Sequence, residues 1–218
     1  MASKQLVGRV WFAGTALVVA VGIILQLVVT GGSAGNGVGF YQENPERVLN
    51  VLVFFTIQSN LLLGATTLLL AIRPERTSLL FRTLRLNGVL GIAVTGIVYH
   101  LVLADLDDLS GGAAVANLLL HTATPILGVL GWLIFGPRGQ TDERAAAWSV
   151  VFPVVWLVFT LIRGEFTEFY PYPFVDVNEH GMPTVLLNCL LIAVLLLGLA
   201  VGAALLDRRI RVDRATRP

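Results

Sequence analysis

Residues 182–206 read MPTVLLNCLLIAVLLLGLAVGAALL, with no Asp, Glu, Lys or Arg between Met182 and Leu206. A helix rising about 1.5 Å per residue needs about 17–25 such residues to cross the hydrocarbon core of a bilayer, and this run is long enough. Toward the N-terminus, equally charge-free runs recur at Ala145–Ile162, Ala113–Phe135, Leu86–Leu103, Val48–Ile72 and Val10–Thr30. Hydrophobic residues make up 56% of the 218 and charged residues 13%, which excludes the balance of a soluble domain. The pattern predicts an all-α polytopic membrane protein, a six-transmembrane-helix bundle forming one domain over residues 1–218.

The charges between the runs predict its orientation. Lys4, Arg9, Arg73, Arg76, Arg82, Arg85, Arg138, Arg144 and the five arginines after Leu206 fall on one side, leaving only Arg47 and Arg163 on the other. Basic loops stay in the cytoplasm, so both termini are expected there, in an integral, multi-pass cell-membrane protein. The acids Glu43, Glu46, Asp105, Asp107, Asp108, Glu165, Glu168, Asp176 and Glu179 then lie outward. Lys4 and Arg9 before an apolar run ending near Ser33-Ala34 imitate a leader peptide, but the run exceeds the usual 7–15-residue leader core and is read as a retained helix. Lys4 is the single lysine among 15 basic residues, a bias suggesting a GC-rich bacterial genome. The one cysteine, Cys189, lies inside the last run, so it allows no intramolecular disulfide and no cysteine metal site, and it reads as packing.

Polar atoms inside a bilayer are costly, so their placement is informative. Gln26, Thr56, Gln58, Asn60, His100, Asn117, His121 and Asn188 fall in the outer halves of their runs or near the midplane, while the inner halves are almost purely apolar. Thr56 and His121 are equally far, roughly 12 Å, inside the outer starts of the second and fourth runs. On an unbroken helix Thr56, Ser59 and Asn60 share one face, as do Asn117, His121 and Thr124, whereas Gln58 points elsewhere. Pro125 cannot donate to the carbonyl of His121 and should kink the helix there, making room for a ligand. Taken singly, Thr56 reads as a threonine bonding back to its own helix, and His121 as either an interhelical hydrogen bond or a functional group.

Together they permit a specific chemistry. A hydroxyl becomes a nucleophile when an imidazole takes its proton, and the same imidazole can later protonate the leaving group. Attack on an ester carbonyl then requires donors for the oxyanion, for which Gln58, Ser59, Asn60 and Asn117 are candidates. No carboxylate lies in the runs to orient the imidazole, so Tyr99, Asn188, a backbone carbonyl or water must do so. The segment Glu165–Asp176 interleaves acids and prolines with Phe169, Tyr170, Tyr172 and Phe174. It reads either as an aromatic belt at the headgroup level or as a lid over the outer mouth of the bundle.

The run Phe54-Phe55-Thr56-Ile57-Gln58-Ser59-Asn60, the pair His121-Thr122 with Pro125 one turn on, and Tyr170-Pro171-Tyr172-Pro173-Phe174 resemble a family of six-pass bacterial membrane proteins. That family is similar in turn to the eukaryotic androgen-induced and androgen-dependent tissue-factor-pathway-inhibitor-regulating proteins, transmembrane threonine hydrolases that cleave fatty acid esters of hydroxy fatty acids. The resemblance implies a nucleophile at Thr56, a base at His121, a lipid-like ester as substrate and no cofactor or metal. Membrane lipids are the expected surroundings, and no nucleic-acid partner is implied. Two rivals remain. A transporter or receptor would use the same outward polar pocket for binding alone, although transporters usually carry an intramembrane charge and these runs have none. A haem protein ligated by His100 and His121 would need the two at one depth, and His100 lies only about 5 Å inside its run.

Overall fold

The second apolar run is not one helix. In the computed structural model, which describes residues 2–32, 47–106 and 108–215, Arg47–Val51 forms one turn of helix, the chain bends over residues 52–54, and a new helix starts at Phe55. Phe54 is extended (φ −66°, ψ 132°), and the Gln58 amide reaches back to donate to the Leu52 carbonyl at 3.1 Å, satisfying the backbone where the helix is interrupted. The expected helix over 48–72 is therefore corrected to one over 55–72, and Thr56 lies in its first turn rather than two turns inside. Ser33, Ala34, Glu43, Glu46, Asp107 and Arg217 lie outside the described residues.

The described residues are otherwise mostly helical and hold no strand, in keeping with the composition. Six stretches are long and apolar enough to span a membrane: Ser3–Gly32, Phe55–Ile72, Leu79–Leu106, Gly111–Phe135, Glu143–Thr167 and Val177–Ile210. This is a multi-pass membrane protein. Two compact units divide it, residues 1–137 and 138–218.

The first unit comprises α1 (Ala2–Gly32), α2 (Arg47–Val51), α3 (Phe55–Ile72), α4 (Leu79–Val98), α5 (Gly111–Leu118) and α6 (Thr124–Phe135). Ser78 starts α4 by accepting from the Phe81 N–H at 3.3 Å. α3 packs against both α1 and α4, and α4 also against α6. Leu63, Leu70, Ile92 and Leu120 are fully buried between them. Small residues set the spacing: a Cβ on Gly88 would lie 2.8 Å from the Leu63 backbone nitrogen, so α3 and α4 touch main chain to main chain there. At the arginine-rich end, side chains satisfy helix-end carbonyls, Arg9 Nε donating to Ala71 at 2.7 Å and Arg85 Nη1 to Pro137 at 3.4 Å.

Two π-helical turns interrupt this unit. Tyr99–Leu103 continues α4, and Leu119–Ala123 joins α5 to α6. The second is the structural answer to Pro125. The kink expected at His121 takes the form of a widened turn, in which the Thr124 N–H bonds the Leu119 carbonyl five residues back. The extra residue turns Thr124 away from the expected common face, and its hydroxyl donates to Leu120 at 3.1 Å.

The second unit holds α7 (Glu143–Ser149), α8 (Val151–Thr167) and α9 (Val177–Ala215). Asp142 caps α7 through the Ala145 N–H at 2.9 Å. The break between α7 and α8 precedes Pro153, which cannot bond the Ser149 carbonyl. Asp207, near the end of α9, is buried; it accepts the Thr141 N–H at 3.0 Å and faces Arg138 at 3.8 Å. Val154, Val155, Val158, Leu187, Leu191 and Val194 stay exposed, as helices solvated by lipid require.

Candidate functional site

Thr56 and His121 come to adjoining elements of the first unit, and Asn60 joins them. The Asn60 amide, fully buried one turn after Thr56, donates to the Thr56 carbonyl at 2.9 Å and across to the Leu120 carbonyl at 3.3 Å. Leu120 directly precedes His121 inside the π turn. Thr56 itself is buried, as is Ser59 three residues on along α3. The first turn of a helix carries the positive end of its dipole, so negative charge developing at Thr56 would be favoured there.

The imidazole of His121 is oriented from two sides. Its Nδ1 lies 3.3 Å from the Asn117 carbonyl. A carbonyl only accepts, which assigns the proton to Nδ1 and leaves the lone pair on Nε2. The Tyr99 ring stacks on the imidazole, centroids 4.4 Å apart and planes 30° from parallel. The Tyr99 hydroxyl accepts a short hydrogen bond from the Asn117 amide, so Asn117 contributes its carbonyl to the histidine and its amide to the tyrosine. The orienting group is thus a backbone carbonyl backed by an aromatic ring. The two π turns meet again where His100 Nε2 pairs with the Thr122 hydroxyl at 3.1 Å. His100 also packs edge-on to Tyr99 at 5.1 Å, so both imidazoles rest on one phenol ring. Turns of this type commonly occur at functional sites.

The chain matches no family model, no curated protein and no solved structure. What the site can do therefore rests on its residues.

The remaining candidates divide by where their polar atoms point. Gln58 is half-exposed and its amide serves the Leu52 carbonyl. Both N–H bonds of Asn60 go to backbone carbonyls, which makes it a tie between elements. Ser59 Oγ and Asn60 Oδ1 are buried with no hydrogen-bond partner among the described residues. Thr95 on α4, not singled out from sequence, has a buried hydroxyl in the same condition. Threonine is commonplace in apolar helices; the only trace in the sequence is its place between the small residues Gly91 and Gly96.

Asn188 and the aromatic segment belong to the second unit. Asn188 Nδ2 donates to the Phe174 carbonyl at 3.0 Å. Tyr170 and Tyr172 are buried, Tyr170 against Gly164 and Tyr172 between Trp156 (6.0 Å) and a parallel Phe174 ring (5.2 Å). Arg163 lies 5.4 Å over the Phe169 ring. Glu165–Thr167 end α8, and in the proline-spaced stretch beyond them Pro173–Val175 makes the one helical turn. Outside the spanning stretches, burial and then the carboxylates of Glu165 and Asp176 raise the Tyr170 phenol above its ordinary pKa.

Proposed function

We propose that this protein is an intramembrane ester hydrolase in which Thr56 is the nucleophile and His121 the general base. The observation that carries the reading is the Asn60 tie. One side chain fixes the backbone of the turn bearing the hydroxyl against the turn bearing the imidazole. The Nδ1 proton on the Asn117 carbonyl adds to it, since Nε2 is then the basic nitrogen. In this mechanism Nε2 takes the Thr56 proton as Oγ1 attacks the acyl carbonyl. The tetrahedral intermediate expels the alcohol, which receives that proton, and leaves an acyl-threonine. Water, deprotonated by the same nitrogen, then releases the acid.

The substrate class is a lipid ester, such as a fatty acid ester of a hydroxy fatty acid, entering from the outer leaflet. The placement of the pair on helices apolar enough to span a membrane and the resemblance of the Thr56 and His121 segments to threonine hydrolases support this class. Both termini are cytoplasmic in the same proposal, on the strength of the arginine distribution. The test is a panel of lipid esters presented to purified protein, alongside Thr56→Ala and His121→Ala. Turnover by the wild type and its loss in both variants, each still folded, is the expected result. Full activity in either variant overturns the assignment. Ligand binding with no turnover and no labelling by a hydroxyl-reactive phosphonate would instead favour a transporter or receptor.

A further inference from the structure

An ester hydrolase needs hydrogen-bond donors where the acyl oxygen becomes negative, and the amides beside Thr56 are already engaged. Asn60 spends both N–H bonds on Thr56 and Leu120, while Gln58 and Asn117 each give one, to Leu52 and Tyr99. Two buried hydroxyls, on α3 and α4, are instead wholly unengaged among the described residues. Ser59 is fully buried and Thr95 is 5% exposed, and neither hydroxyl has a partner among the described residues. That is not the habit of this chain: Thr15, Thr66, Thr67 and Thr124 each donate to the carbonyl four residues back. Carbonyls in the same relation, those of Phe55 and Gly91, precede Ser59 and Thr95.

The packing of α4 places Thr95 at the proposed site. A Cβ on Gly88 would meet the backbone of Leu62 and Leu63, and one on Gly91 would lie 2.5 Å from Ser59 Oγ. The two helices are thus antiparallel, with each step up α4 matched by a step down α3. Thr95, one turn beyond Gly91 on the same face, stands level with Phe55 and Thr56. The next residue, Gly96, abuts the other half of the pair: its Cβ would be 2.9 Å from the Pro125 ring and 3.6 Å from the His121 carbonyl oxygen. Thr95 therefore sits where α3, α4 and the His121 turn converge.

We propose that the Thr95 hydroxyl, with that of Ser59, donates to the acyl carbonyl oxygen of the ester during attack by Thr56. This rests on the hydrolase reading and adds a catalytic residue to it. A buried hydroxyl without a partner destabilises the fold, and an acyl oxygen arriving beside Thr56 supplies the missing acceptor. The bond strengthens as the carbonyl becomes an oxyanion, which places the effect in kcat rather than KM.

The test uses full-length protein in nanodiscs and a p-nitrophenyl acyl ester, with Thr56→Ala defining background. Thr95→Val is expected to lower kcat on the order of 10²-fold with KM little changed. Its melting temperature should be equal or higher, because valine removes an unsatisfied group at nearly constant shape. Thr95→Ser should restore most of kcat, and Thr95→Ala should repeat the kcat loss should valine disturb the packing. Thr160→Val, which removes an equally unpartnered buried hydroxyl in α8, should leave turnover unchanged. Wild-type turnover in Thr95→Val, with Thr56→Ala inactive, overturns the donor role and leaves the hydrolase reading standing. A lower melting temperature with a proportionate loss of activity also overturns it, as does an equal kcat loss in Thr160→Val. Wild-type turnover no higher than that of Thr56→Ala overturns both proposals together.

Discussion

The Asn60 amide joins Leu120 to Thr56 across the junction of α3 with the π turn, at 3.3 and 2.9 Å. Replacing it by leucine keeps the volume and removes both bonds, leaving a buried π-turn carbonyl without this donor. Asn60→Leu is expected to destabilise the protein by about 1–3 kcal/mol. The same change frees His121 to shift relative to Thr56, so activity should fall by more than the loss of folded protein explains. Thermal melting and turnover measured on the same samples separate the two effects. Unchanged melting would show that the bridge does not hold the helices.

Tyr99 offers a cleaner separation of orientation from stability. Its ring stacks on His121, while its hydroxyl only receives the Asn117 amide. A stacked pair is worth about 0.5–1.5 kcal/mol, so Tyr99→Leu should reduce kcat by up to roughly 10-fold. Tyr99→Phe keeps the stack and should cost less. Equal losses in the two variants would assign the effect to the hydroxyl instead.

What the sequence made legible follows from which forces act locally. The six spans were readable because lipid demands long charge-free runs, and nothing in tertiary packing reverses that demand. The break before Phe55 was not, since Leu52-Val53-Phe54 contains no glycine or proline and the interruption is held by the Gln58 side chain. Pro125 marked the right place on the fourth span. A missing N–H, however, dictates only that the His121 carbonyl lose its usual partner, and the choice of a widened turn over a sharp kink depends on the packing of neighbours such as Gly96. At the site, residue types singled out Thr56 and His121 as the pair proposed to react. They could not reveal that the amides of Asn60, Gln58 and Asn117 were committed, because every one of those bonds ends on a backbone carbonyl or a tyrosine hydroxyl positioned by the fold.

The contact at Gly88 tests the helix packing that carries Thr95. A Cβ there would lie 2.8 Å from Leu63 N and 3.0 Å from its Cα, and main chain cannot rotate aside. Gly88→Ala should therefore destabilise by about 1–3 kcal/mol, as overpacking does. Gly14→Ala, where nothing lies within 4 Å, is the control and should be neutral or slightly stabilising through helix propensity. Melting temperatures of the two variants falling together would contradict the close approach of α3 and α4.

Orientation is tested with fusions after Pro218. If the arginine-rich ends are cytoplasmic, a fluorescent protein fused there should fold and fluoresce in cells, while alkaline phosphatase should stay inactive. The opposite pair of results would place the Thr56 end of the bundle toward the cytoplasm.

The buried phenol of Tyr170 gives a pH dependence with a definite sign. Burial, followed by the nearby Glu165 and Asp176 carboxylates, raises its pKa above the ordinary 10.0. Above pH about 10 the unfolded chain then releases this proton more readily than the folded one, so unfolding becomes progressively easier. The contribution is intact below the unfolded pKa and is lost as pH rises through the folded value. Tyr170→Phe removes the titration while keeping the ring against Gly164, and its melting temperature should fall less steeply with alkaline pH than that of the wild type. The comparison cancels the background from lysine and arginine, which titrate in both proteins. Parallel curves would mean that the phenol ionises as freely in the fold as in water, and would contradict its burial beneath the end of α8.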